Sequence, residues 1–124
     1  MAMPDTCLTP MPPPVGVVPI PYPNIAQLAA CDDVVDKVLV ENKEVIVEGS
    51  TIPNSSGDEA GTNGGVVSGV NMKEVQPKQF SSKVIADGKK MVFFTAMTAH
   101  NGTNANAPAG NIIAPSQDKV SIGQ

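Results

Sequence analysis

The chain has 124 residues and a mass of 12.8 kDa, which is enough for one domain, 1–124, with a modest core. Its net charge of −4 argues against a nucleic-acid partner, because phosphate recognition needs a surplus of Lys and Arg. With 12 prolines, 11 glycines and 3% aromatic residues, the composition is typical of a turn-rich domain without long helices.

The N-terminus lacks the features of an export signal, since no basic residue precedes an apolar segment and prolines interrupt the stretch. No apolar run approaches the length of a membrane span. Residues 1–24 are proline-rich, yet apolar residues such as Val15, Val17 and Ile20 recur in them. We therefore expect an extended arm of polyproline-like backbone that packs on the rest of the domain.

One short helix is predicted at Asn24–Ala30, where Asn24 would be the N-cap and Pro23 precedes the first turn. Ile25, Leu28 and Ala29 would share its apolar face. We expect one or two helical turns.

Two segments repeat one pattern, KVLVENKEVIV at 37–47 and KVIADGKKMVF at 83–93. β-Branched residues flank a tight turn in each, so both are predicted to be β-hairpins. The turns would lie at Glu41–Asn42 and at Asp87–Gly88, since Asn and Gly accept left-handed backbone. A looser third candidate is 112–122, with a turn near Pro115–Ser116.

The stretch SSGDEAGTNGGVVSG at 55–69 separates the two repeats. It lacks the Lys-Ser/Thr pair of a phosphate-binding loop. Because Asp58 and Glu59 are adjacent, their side chains diverge, which argues against a calcium-binding loop. We interpret it as a sharply turning connector in which both acids cap backbone N–H groups. Its backbone-geometry residues would be Gly57, Gly61, Gly64, Gly65 and Gly69.

Candidate reactive side chains are few: Cys7, Cys31 and His100. Thiols and imidazole suit zinc, but the close ligand pairs of a typical zinc site are missing. Cys7 and His100 could equally be a thiol nucleophile and its base in a small hydrolase. The residues alone leave zinc binding, thiol catalysis and purely structural roles open.

Several motifs occur together in one order: PDTC at 4–7, PIPYPNIA at 19–26, KVLVENKEV at 37–45, the glycine stretch at 55–69 and AHN at 99–101. In this the chain resembles the PAAR-like spike-tip proteins of type VI secretion and related contractile injection systems. The resemblance covers about the whole chain.

The resemblance implies a mainly β, small cone of hairpins with approximate threefold character. It also implies a non-enzymatic tip that caps the trimeric VgrG spike, made in the bacterial cytoplasm and delivered by the apparatus. Its partners would be VgrG and effector toxins. The tip would also make mechanical contact with the target-cell membrane. Asp58 and Glu59 would then be caps or contacts to the spike.

PAAR proteins proper hold a metal, usually zinc, through histidines and a cysteine, which implies Cys7 and His100 here. Because His100 is the sole histidine, either Cys31 with a water or a carboxylate completes the site, or the tip holds no metal and is stabilised by packing. Two other hypotheses are retained: a zinc- or thiol-dependent hydrolase, and a trimeric phage-type surface protein.

Overall fold

The proline-rich N-terminal segment forms the longest β-hairpin of the protein in a computed structural model, which describes residues 1–114 and 119–123. Strand β1 is Ala2–Met11 and strand β2 is Gly16–Asn24. The two strands pair antiparallel, with Cys7 opposite Ile20. The expected polyproline-like arm is therefore a paired hairpin.

The prolines of β2 are compatible with this pairing because they occupy every second position. Pro19, Pro21 and Pro23 alternate with Ile20 and Tyr22 along the strand. Successive residues of a strand direct their backbone N–H groups to opposite sides, so all three missing donors fall on the edge that faces away from β1. The hairpin thus loses no ladder hydrogen bond, and its outer edge cannot accept a further full strand.

The other side of β1 is bonded to the glycine stretch. The Leu8 amide donates to the Gly64 carbonyl (2.8 Å), and the Val66 amide donates to the Thr6 carbonyl (3.0 Å). A Cβ at Gly65 would overlap the Asn106 side chain, so this close approach requires glycine. The connector therefore runs alongside β1 and is held to it by backbone hydrogen bonds.

The predicted helix at Asn24–Ala30 is wrong in type and in its starting residue. The structure has a single 3-10 turn at Leu28–Ala30, preceded by Gln27, which makes no capping hydrogen bond. Asn24 ends β2 instead, and it is fully buried. Its side chain is engaged by other buried groups and caps nothing.

Both repeated segments form hairpins with tight turns. Strands β3 (Val35–Val40) and β4 (Lys43–Val45) flank Glu41 and Asn42, whose φ angles are 51° and 63°. In the second hairpin, β6 (Ile85–Ala86) and β7 (Lys89–Lys90) flank Asp87 and Gly88, with φ of 51° and 76°. Two successive positive φ angles are typical of a type I′ turn.

The two hairpins share one apolar core. The Val92 amide donates to the Ile46 carbonyl (3.0 Å), and the Glu48 amide to the Lys90 carbonyl (2.8 Å), which joins their return strands. Ile122 also packs against this core. The buried core residues are Val35, Val45, Val47, Ala86 and Met91. The turn of the third predicted hairpin, Pro115–Ser116, lies outside the described residues.

The remaining strands form a three-stranded sheet in the order β5–β8–β9. These strands are Gln76–Pro77, Met97–His100 and Ala107–Asn111. The Asn111 amide donates to the Met1 carbonyl (2.8 Å), which ties β9 to the start of the chain. The prediction of a small, mainly β domain is confirmed. None of the helices in the part of the chain that the structure describes is long and apolar enough to span a membrane.

Candidate functional site

A group of buried polar side chains lies where β1, the end of β2, the glycine stretch and β8 meet. We call it the Asp5 cluster. Each of its members is at most 9% exposed. The members are Asp5, Cys7, Asn24, Asp58, His100, Asn101 and Asn106.

Asp5 is the principal acceptor of the cluster. Its carboxylate accepts hydrogen bonds from the side-chain amides of Asn24 (2.9 Å), Asn101 (3.2 Å) and Asn106. These donors lie on β2 and on the loop after β8, so one carboxylate joins distant parts of the chain. A buried carboxylate is tolerated only with such donors, since its transfer from water is otherwise very costly.

Asn24 links Asp5 to His100. Its amide nitrogen also donates to the Ser55 hydroxyl (3.0 Å), while its amide oxygen lies 2.6 Å from Nδ1 of His100. Because an amide oxygen only accepts, Nδ1 carries the proton, and Nε2 accepts from the Thr98 hydroxyl (2.9 Å). Burial, helped by the positive N-terminus, lowers the pKa of His100 to about 4. The ring is therefore neutral at pH 7, and both nitrogens are already bonded.

The thiol of Cys7 lies between two carboxylates. Its Sγ is 3.7 Å from Oδ1 of Asp5 and 3.6 Å from Oδ2 of Asp58. Burial, and then the negative charges of Asp5 and Asp58, raise the pKa of Cys7 to about 12. A thiol held neutral and fully buried is not an activated nucleophile, so the geometry opposes thiol catalysis at Cys7.

The two adjacent acids of the glycine stretch diverge. Asp58 points into the cluster, where its Oδ2 accepts from the Met72 amide (3.0 Å) and its Oδ1 has no hydrogen-bond partner among the described residues. Burial raises the pKa of Asp58. Glu59 is exposed and accepts from the Gly57 amide (2.9 Å), and such backbone hydrogen bonds lower its pKa. Glu59 is thus a local cap, whereas Asp58 belongs to the buried site.

The structure brings together only two of the three side chains that the sequence suggested as metal ligands. Cys7 and His100 share the cluster, but Asn24 and Thr98 occupy the ring nitrogens of His100. Cys31 lies elsewhere, half-buried, with its thiol 3.7 Å from the Asp32 carbonyl.

A different set of ligand atoms converges in the same cluster. One atom each from Asp5, Cys7 and Asp58 lies within 4.8 Å of the other two. One sulfur and two carboxylate oxygens are donors that zinc accepts, and a tetrahedral zinc site has S···O edges of about 3.5 Å. The sulfur–oxygen separations of 3.6 and 3.7 Å fit that geometry. Oδ1 of Asp58, which has no hydrogen-bond partner among the described residues, is available to bind a cation.

Sequence reasoning gave no site role to Asp5, Asn101 or Asn106, although Asp5 and Asn101 lie in the motifs PDTC and AHN. The one available indication was the alternation of Asp5, Cys7 and Thr9 along β1, which places three polar residues on one buried face.

The chain matches the family model of the toxin PAAR-like domain over residues 1–107. The protein belongs to this family. It is also similar to the DNase toxin Tse7 of Pseudomonas aeruginosa, with 30% identity over 127 residues. That alignment covers 98% of this chain and 32% of the relative, so the PAAR-like chain spans about a third of the relative's length. No solved structure matches this chain.

The burial of His100 as a neutral ring makes the stability of this PAAR-like domain depend on pH. In the unfolded chain the imidazole takes up a proton near pH 6.5, whereas in the folded domain it does so only near pH 4. The unfolded state therefore binds more protons in this range, and stability is complete above about pH 6.5 and falls as the pH drops toward 4. We expect the melting temperature to fall by on the order of 10 °C over this range.

The matched variant is His100→Gln, which keeps a donor and an acceptor but does not titrate. Its melting temperature should change less between pH 6.5 and 4 than that of the natural domain, and the difference between the two profiles isolates His100. Parallel profiles from thermal melts would show that His100 is not buried as a neutral ring.

Proposed function

We propose that this domain is the tip that caps a trimeric VgrG spike in a type VI secretion or related contractile injection system. The observation that carries the proposal is the family match over residues 1–107. The domain is made in the bacterial cytoplasm and leaves the cell on the spike. Its contact with the target-cell membrane is mechanical. It also carries effector toxins.

The structure supports a mechanical role through the density of links between distant segments. Hydrogen bonds join β1 to the glycine stretch, β9 to Met1 and the loop after β8 to Asp5. Contacts that connect residues far apart in sequence resist local opening, because several elements must separate together. Such a domain transmits force without losing its shape.

The domain itself is proposed to be structural and not enzymatic. Cys7 is buried with a raised pKa, and the ring nitrogens of His100 are bonded to Thr98 and Asn24. The thiol-hydrolase alternative therefore has no activated nucleophile in this pair. The nuclease activity in the name of the Pseudomonas relative is a property of that longer protein.

The capping function predicts a stoichiometric complex with the cognate VgrG. Size-exclusion chromatography with light scattering should show a monomeric domain alone and one domain per VgrG trimer in the mixture. Absence of a complex with assembled VgrG trimers would contradict the tip function. A self-associated trimer without VgrG would favour the phage-type surface protein instead.

We also propose that the bound cofactor is zinc, held by Asp5, Cys7 and Asp58. Zinc would act structurally by neutralising two buried carboxylates and a thiolate. The side chains of Asn101 and Asn106 lie 3.6 and 4.0 Å from Sγ of Cys7, where their amides stabilise negative charge on the sulfur.

Metal analysis of the purified domain tests this assignment. About one zinc per chain is expected, and the variants Cys7→Ser and Asp58→Asn should lose most of it. The control variants His100→Gln and Cys31→Ser should keep their zinc, since neither side chain belongs to the set. Zinc loss in both controls and in Cys7→Ser, but not in Asp58→Asn, would restore the ligands inferred from the sequence. Zinc-free protein after purification in zinc-containing buffer would refute the site.

A further inference from the structure

The Asp5 cluster has one member that also faces a cavity. Asn106 is 9% exposed, the largest value in the cluster, and it lines a cavity of about 430 Å³. Among the described residues it is the only cluster member that lines this cavity. The members that are 0% exposed are Asp5, Cys7, Asn24, Asp58 and Asn101. Asn106 therefore contacts the cavity on one side and the proposed metal ligands on the other.

Three segments wall this cavity, which we call the β1–β9 cavity. They are the start of β1, the pair Val66 and Val67, and residues 107–109 at the start of β9. Val66 and Val67 are 56% and 58% exposed, and Pro108 and Ala109 are exposed as well. The cavity thus opens at the surface of the domain, and solvent can enter it without any movement of the backbone.

Access from the glycine stretch, in contrast, is closed by backbone. A Cβ at Gly61 would overlap the Cβ of Cys7, so the main chain packs directly against that side chain. The Gly61 amide donates to the Asp58 carbonyl (2.9 Å), which fixes the turn. Entry on this side would require the turn to unfold, whereas at Asn106 the rotation of a single side chain is enough.

Hydrogen bonds at both ends of its amide hold Asn106 in place. Its Oδ1 accepts from the Val67 amide (2.8 Å), and its Nδ2 donates to the Thr6 carbonyl (2.8 Å) and to Asp5. Nδ2 also lies 4.0 Å from Sγ of Cys7. Rotation of the side chain into the cavity breaks these contacts, but water replaces part of them there, so the open state is rare and still accessible.

We propose that the β1–β9 cavity is the entrance through which the metal ion reaches its ligands, and that Asn106 opens and closes this entrance. The inference rests on the proposed zinc site. Rotation of Asn106 uncovers Asp5 and the thiol of Cys7, the two ligands beside its amide. When the side chain returns, it donates to Asp5 again and separates the ion from solvent. Asn106 is thus a positioning residue that sets the rate of metal exchange.

Asn106→Ala separates this role from simple support of the ligands. An entrance limits exchange in both directions, so its loss should speed zinc uptake by the metal-free domain and zinc release to a chelator, each about 10-fold, as for the loss of about two hydrogen bonds. Both rates are followed with a zinc-sensitive dye. Asn63→Ala, which changes an exposed asparagine of the glycine stretch, should change neither rate. Faster release with unchanged uptake in Asn106→Ala would overturn the proposal, because it is the result expected of a residue that only strengthens zinc binding.

A second variant acts on the cavity and leaves every member of the cluster in place. Ala109→Trp adds a large ring at an exposed position of the cavity wall and should slow uptake and release alike, severalfold, with the zinc content unchanged. Ile85→Trp is the control, because Ile85 is 61% exposed and lies on the second repeated hairpin. Equal rates in the two Trp variants would overturn the cavity as the entrance, whether or not Asn106→Ala folds.

The entrance can also be tested without zinc. In a Cys31→Ser background Cys7 is the one remaining thiol, and its alkylation by iodoacetamide in the chelator-treated domain reports access to the cluster. The alkylation rate should rise in Asn106→Ala and fall in Ala109→Trp, both relative to Ile85→Trp. This order in a domain that binds no zinc would contradict the zinc assignment and still support the entrance. Zinc binding without this order would overturn the entrance and leave the zinc site standing.

Discussion

The carboxylate of Asp5 holds β1, the end of β2 and the loop after β8 together. It is fully buried and accepts from three asparagine side chains, two of which lie 96 and 101 residues further along the chain. A buried carboxylate requires donors in defined positions, so the cluster fixes the relative positions of β1, β2 and the loop after β8. An apolar core would tolerate small shifts between these elements, because apolar contacts have no directional requirement.

The backbone around the cluster is adapted to bring these polar groups close together. β1 is bonded on one side to β2 and on the other to the glycine stretch, where Gly65 leaves room for Asn106. The prolines of β2 close the outer edge of the hairpin. The domain therefore has two distinct interiors: this polar cluster, and the apolar core shared by the repeated hairpins. The division suits a small domain with few aromatic residues, which has little apolar surface to bury.

The sequence predicted the features that depend on local chemistry. The tight turns at Glu41–Asn42 and Asp87–Gly88 follow from residues that accept positive φ, and these are the positions where the structure has it. Asn24 shows where local reasoning ends. It has the chemistry of a helix N-cap, but Asp5, Ser55 and His100 compete for its side chain across 19, 31 and 76 residues. Such long-range partners are not visible in a local pattern, and for the same reason the sequence predicted that Asp58 accepts from a backbone amide but not that it is buried beside Cys7.

The same cluster is central to the proposed function, because a spike tip must keep its shape under load. Three of its members, Asp5, Cys7 and Asp58, are also the proposed zinc ligands. The most direct test is the free energy of unfolding of Asp5→Asn, measured by urea denaturation in buffer with a chelator. The change preserves the shape of the side chain but turns an amide donor toward the donors of Asn24, Asn101 and Asn106. We predict a loss on the order of 3 kcal/mol relative to the natural domain. A loss below about 1 kcal/mol would contradict the claim that this buried carboxylate holds the fold together.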